Sequence, residues 1–400
     1  MALLNPSEPE SESARQAPKR SVLWSVGFRP FYLLAGLFAT LSVTIWAARF
    51  SGWLGDWVYG SDPLWHAHEM IFGYALAVIV GFLFTAGRNW TGQPTPTGAS
   101  LAAIAGLWLA ARVLVFTPWP LAAAAADTAF ALAAAAGLAV PLWRSGNHRN
   151  YFLVALLLAL GTANLAFYLA KEEILDMPVS EGLQIALDLI LFIMTVMAGR
   201  VIPMFTMNAV PGAKGTRLGW LERLALGSVL LLIAADLYDA PEKIIAVIAG
   251  LAALAHAARL ALWQPWLTLR RPILWILHAA YAWVPIHLAL RALAALGVLP
   301  ENLATHALTV GVIGSLTLGM MTRTARGHTG RSLQAGLAET ACYALVQLAA
   351  VARVFVPIAA PQFYSYSVTL SGVFWVIAFA LFTVTYWPIL TRPRADGRPD

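Results

Sequence analysis

Stretches of about twenty apolar residues recur along this 400-residue chain, and no other feature limits its folding so strongly. Each is long enough to cross a hydrocarbon core of ~30 Å. Inside lipid the backbone must satisfy its own hydrogen bonds, and unbroken apolar runs do so as helices rather than as a barrel. Composition agrees: 60% of residues are hydrophobic, 12% are charged and the mean hydropathy is +0.70. A soluble chain of this size carries roughly twice that charge. The expected fold is an all-α integral membrane protein of twelve transmembrane helices. They are predicted at roughly 30–50, 64–86, 98–117, 120–142, 150–170, 182–204, 219–237, 242–262, 272–296, 302–322, 334–356 and 363–391. Thr117-Pro-Trp-Pro120 is the tightest predicted turn.

Charge fixes an orientation. With the N-terminus inside, twenty of the 26 lysines and arginines fall on the inner side. Only Arg49, Arg112, Lys171, Lys243, Arg291 and Arg353 fall in the outer half. That asymmetry places both termini in the cytoplasm. The net charge of +6 is then a matter of topology, not of nucleic-acid binding. Acidic residues gather on the opposite side: Asp56, Asp62, Glu172, Glu173, Asp176, Asp236, Asp239, Glu242 and Glu301. Residues 1–21 and 392–400 read as cytoplasmic tails around a membrane domain at 22–391, the first polar and without signal-peptide character. The single cysteine, Cys342, excludes an intramolecular disulfide and a thiolate cluster. No phosphate-binding or serine-nucleophile motif occurs in a usable context.

Three predicted spans end alike on the inner side. Phe84-Thr85, Phe205-Thr206 and Met321-Thr322 each lead into a polar turn that ends in glycine. The threonines are 121 and 116 residues apart, four spans each time, which suggests three four-helix units at 22–145, 146–262 and 272–391. Thr and Gly are also ordinary at helix C-termini, so the similarity has a bland reading as well. Counting outward from the threonines, His66, His68, Asp188 and His306 fall in one layer, ~5 Å thick at ~1.5 Å per residue, near the outer third.

An ionisable group at membrane depth is costly and is by default a functional candidate. His66 and His68, two residues apart, point about 200° from each other on a regular helix, so one faces the core and the other serves a second site or the surface. Met70 shares a face with His66. His306 precedes Gly311, Gly314, Ser315 and Gly319, small residues that let another helix or a flat macrocycle come close. His278 and His287 face opposite sides of one span, and His256 and His287 read more simply as structural histidines. His148 and His328 fall in basic inner loops.

Neutral imidazoles from different spans, with a thioether nearby, suit haem iron and copper better than a closed structural zinc. Metal candidates are therefore His66, His68, His278, His306 and Met70. Asp188 would support an imidazole N–H or carry protons. Arg112 would meet a haem propionate or snorkel outward.

A family resemblance runs through these residues. The motifs are Trp65-His-Ala-His-Glu-Met70-x-Phe-Gly73, Asn89-Trp-Thr-Gly92, Gly199-Arg-Val-Ile-Pro203-x-Phe-Thr206, Leu274-Trp-x-Leu-His278-x-x-Tyr-Ala-Trp283, His306-Ala-Leu-Thr-Val-Gly311 and Gly327-His-Thr-Gly-Arg331. From about residue 22 to 390 the chain resembles the NnrS family. The resemblance implies a bacterial inner-membrane protein containing haem and copper, tied to nitric oxide metabolism and resistance to nitrosative stress. Carried over position by position, it favours His66, His68, Glu69, His278, His306 and His328, and His278 over His287. It departs at Tyr168, where the family pattern often carries histidine.

The threefold reading is also similar in outline to the catalytic subunit of haem-copper oxidases, which holds haem with histidines from spans two and ten. That likeness is at the level of fold, and no catalytic residue is assigned from it. The expected function is haem- or copper-dependent nitric oxide handling, by ligation or by redox turnover, in a protein whose partners are the lipid bilayer and nitric oxide. A secondary transporter and a haem or copper delivery protein are the alternatives.

Overall fold

The computed structural model describes residues 21–55 and 63–399. The tail expected at residues 1–20 and the acidic positions Asp56 and Asp62 lie outside them. Among the described residues there are helices and connecting loops but no strand. The long rods are α1 (Phe28–Phe50), α2 (Pro63–Thr91), α3 (Gly98–Leu114), α4 (Pro120–Arg144), α5 (Tyr151–Lys171), α6 (Val179–Ala209), α7 (Gly219–Leu237), α8 (Glu242–Leu262), α9 (Pro272–Ala295), α10 (Glu301–His328), α11 (Leu337–Ala359) and α12 (Tyr364–Thr391). Ten of them are long and apolar enough to cross a membrane. The two that fall short do so for visible reasons: α3 has 17 residues, and α7 carries Glu222, Arg223 and Asp236.

Local chemistry sets the ends. Pro63, Pro120 and Pro272 open their helices, where a missing N–H costs nothing. Gly92, at φ +64°, closes α2 in the left-handed conformation that glycine adopts without strain. Thr117-Pro-Trp-Pro120 spans the short connection from α3 to α4, as its sequence predicts.

Consecutive rods from α3 to α12 pack side by side, and α1 packs on α12, which draws the chain around on itself. The most buried of the ten are α2, α6 and α10. They touch one another in the centre, α2 meeting both α6 and α10. Their inner-end threonines behave alike. Thr85, Thr206 and Thr322 are buried, and each donates to a carbonyl one turn back: Gly81 at 2.7 Å, Ile202 at 2.9 Å and Gly319 at 2.9 Å. Each also joins a neighbouring helix, through the Phe28 amide at 3.1 Å, His278 Nε2 at 2.9 Å and the Tyr343 hydroxyl at 2.6 Å.

The N-terminal halves of α2 and α10 share a departure from regular α geometry. Glu69–Ala75 and Ala307–Gly314 wind as π-helix, starting one residue after His68 and one after His306. Wide π turns are rare and frequently mark functional positions. The glycines after His306 hold indole rings: a Cβ on Gly311 would stand 2.5 Å from Trp283, and Trp375 lies against Gly314. In this arrangement the small-residue face expected to admit a helix or a macrocycle is filled by tryptophan.

Candidate functional site

The winding of α2 sends its two histidines apart. His66 is half-buried and stacks on Trp46 of α1, ring centroids 4.8 Å apart and 13° from parallel. Its Nδ1 is buried with no hydrogen-bond partner. His306, half-buried on α10, lies close enough to His66 and to Arg353 for electrostatic interaction. Its Nδ1–H donates to the Asn302 carbonyl at 2.6 Å, which fixes the tautomer and leaves Nε2 with its lone pair. Met70, one turn past His66, accepts a hydrogen bond from Ser42 on its sulfur at 3.4 Å. Arg353 donates to the Tyr364 hydroxyl at 3.3 Å, while its other terminal nitrogen, Nη1, is buried and unpartnered.

His68 points the other way, into the space between α2, α3, α4 and α5. Its Nδ1 is 2.9 Å from Glu69 Oε1 and its Nε2 2.8 Å from Asn164 Oδ1, with Asp127 Oδ2 at 3.5 Å. Both ring nitrogens are engaged within this network, and neither is turned outward to a ligand. Arg112 lies between the carboxylates, 3.1 Å from Glu69 and 2.5 Å from Asp127. The Tyr168 hydroxyl donates to Asp127 at 3.4 Å. All of these groups are buried. Desolvated charges persist only in such mutual pairing, which explains how two carboxylates and a guanidinium sit at membrane depth.

Gly73 makes this arrangement sterically possible. A Cβ there would stand 2.5 Å from Arg112 Nη1 and 2.6 Å from the Phe38 ring. The Gly73 carbonyl accepts from Trp108 Nε1 at 2.8 Å. Gly199, which opens the third motif, has the same role, since the Arg259 guanidinium lies directly against it.

The other expected site residues lie elsewhere. Asp188 pairs with Arg291 at 2.8 Å and accepts from Gln184 at 3.2 Å, and Arg291 also binds Asp236, so this carboxylate meets a guanidinium rather than an imidazole. His278 sits near the C-terminal end of α6, where its Nε2–H donates to Thr206, leaving Nδ1 buried and unpartnered. His328 ends α10, its ring 5.7 Å from that of Phe28. Twenty-two residues below His306 on one rod, it is about 33 Å away at ~1.5 Å per residue. His287 is tied to the Ala304 carbonyl at 2.8 Å. His256 is held between Tyr281 at 2.6 Å and the Ala225 carbonyl at 3.0 Å.

Trp46, Asn302 and Arg353 carry no sequence motif that singles them out. Asn164 and Asp127 were legible as polar groups at membrane depth. Arg353 was counted only as an outer-half arginine, and nothing local marked Trp46 or Asn302. Tyr168, the departure from the family pattern, belongs to the His68 network, where its ring lies edge-on to His68 with centroids 5.0 Å apart.

As a cofactor site, the two sides differ. Among the described residues no three of His, Cys, Asp and Glu gather in a metal-binding arrangement. The His66–His306 side supplies two imidazoles with uncommitted nitrogens and a thioether, donors that fit haem iron or copper. The His68 side supplies no free donor. A family model described as NnrS protein matches residues 22–394. None of the curated proteins compared with the chain matches it.

Proposed function

From membership in the NnrS family, to which the chain belongs over nearly its whole length, we propose that it is an inner-membrane protein of nitric oxide handling and nitrosative-stress resistance that holds haem or copper between α2 and α10. The observation behind this reading is that His66 and His306, on two helices that touch, each keep an uncommitted ring nitrogen and are followed by π turns at Glu69 and Ala307. A bound haem or copper centre would supply a metal able to take nitric oxide as a ligand. His66 and His306 would hold it, Asn302 keeps the His306 ring in the ligating tautomer, and Met70 offers a soft donor on the same face. Arg353 would face a propionate, because Arg112 is committed to Glu69 and Asp127. The His68 network then fixes the outer end of α2 against α3–α5, setting the direction in which His66 points.

In this reading all twelve rods cross the membrane, with both termini cytoplasmic. The inner threonines support three four-helix units at 22–145, 146–262 and 272–391. Metal analysis and an absorption spectrum of the purified full chain, before and after nitric oxide, test the proposal. A Soret band that shifts with nitric oxide, or stoichiometric copper with a spectral response, is expected. A preparation containing neither metal would overturn it.

A further inference from the structure

At the centre of the bundle, on the inner side of the sites above, lies a cavity of about 40 Å³. Its walls come from the three central helices: Val78 and Ile79 of α2, Met194 and Met197 of α6, Leu316 and Met320 of α10, with Tyr32 of α1 at one side. This is room for more than one water molecule, which needs roughly 10–15 Å³. Water there would also need two to four polar partners. The wall offers almost none. The Thr317 hydroxyl is taken by the Ile313 carbonyl and by Tyr74 at 2.5 Å each, and the Tyr32 hydroxyl, buried without a partner, is a single polar group where water needs at least two. The lining that remains is aliphatic, aromatic and thioether.

The cavity is not sealed on all sides. Phe82, Val201 and Met320 are the half-buried members of its lining, and they sit toward the inner ends of their helices. One turn further inward on the same faces, Phe205 of α6 and Arg323 of α10 are stacked, the guanidinium 3.8 Å from the ring centroid. That stack bridges α6 and α10 just below the cavity.

We propose that this cavity is a binding site for a small uncharged apolar molecule of diatomic size. A dry hollow of this kind holds apolar atoms that water cannot replace, as xenon does in apolar protein cavities. Three methionines in the wall make it adaptable in shape, because their side chains are unbranched and polarisable. Naming nitric oxide as the physiological occupant rests on the proposed function; the cavity's preference for apolar guests does not.

The three methionines also provide the test. In detergent-solubilised full chain labelled at the methionine methyls, xenon under pressure should shift Met194, Met197 and Met320 saturably. Met204 and Met207, about 40% exposed on the outside of α6, serve as controls. Ala198→Phe should abolish the response by filling the cavity, and Val201→Phe, at a half-buried wall position, does the same should the first variant fail to fold. Nitric oxide is the second probe, at saturating dissolved gas. Saturable xenon shifts without nitric oxide shifts would keep the cavity and overturn its assignment to nitric oxide. Equal, non-saturating shifts of wall and surface methionines, or shifts that persist in a folded cavity-filled variant, would overturn the site itself. Neither readout requires bound metal, so a metal-free preparation would leave the outcome interpretable.

Discussion

His66 and His68 are separated by one residue and serve opposite sides of α2. The first stacks on Trp46 near His306, and the second is fixed by Glu69 and Asn164. The helix could not send both inward without breaking its own winding. Of two neighbouring histidines, one keeps a free nitrogen and the other is built into a network of buried charge.

That network should be fragile to the loss of any one charge. Arg112→Met leaves Glu69 and Asp127 buried without their cation, and breaking a buried pair in this way costs about 3–5 kcal/mol. Thermal unfolding in detergent should show a large drop. Adding Asp127→Asn to Arg112→Met should recover part of it, since the two residues are in contact and their effects are not additive. Gly73→Ala, which pushes a Cβ against Arg112, should cost ~1–3 kcal/mol by overpacking. In an Arg112→Met background that cost should shrink.

The inner threonine of α6 has a specific role toward His278. Its hydroxyl donates to Ile202, so it can only accept from the imidazole. Thr206→Val therefore strands a buried N–H, a loss of about 1–3 kcal/mol. Thr206→Ser keeps the acceptor and should retain most of the stability. Equal melting temperatures for the two variants would contradict this assignment.

The Asp188 carboxylate is engaged by Arg291 and Gln184 rather than by an imidazole. Asp188→Asn should lower thermal stability while leaving haem or copper per folded molecule unchanged. Metal loss in proportion greater than unfolding would place Asp188 in the site after all.

Arg353 is the guanidinium next to the histidine pair, with one nitrogen free of partners. Arg353→Gln should loosen haem, seen as faster transfer to an apo-acceptor protein at unchanged melting temperature. Arg112→Met should not change that rate in the molecules that remain folded.

Much of the membrane architecture was legible because its cause is local. Apolar length marks spans residue by residue, and α8, α9 and α12 fall within one residue of their predicted limits. The rods α3 and α7 show the limit of that reasoning: one is short and the other carries three charges, so composition alone does not place them in lipid. The likeness of α2, α6 and α10 was visible in their inner threonines, and these became the three most buried of the membrane-length helices. The division of labour between His66 and His68 was legible only as a geometric constraint. Deciding between them required Trp46, 20 residues upstream of His66, and Asn164, 96 residues beyond His68. Such pairings depend on packing between helices, which no local pattern encodes. The π turns are of the same kind, since nothing in Glu69–Ala75 or Ala307–Gly314 announces the extra residue per turn.

In the proposed site His66 and His306, not His68, hold the cofactor. A reduced-minus-oxidised spectrum with metal analysis, run on purified wild type and on His66→Ala, His306→Ala and His68→Ala, tests it most directly. The first two variants should lose or strongly alter the haem or copper signal while remaining folded. His68→Ala should lower stability but keep the signal per folded molecule. A spectrum lost in His68→Ala and intact in His66→Ala and His306→Ala would contradict the account.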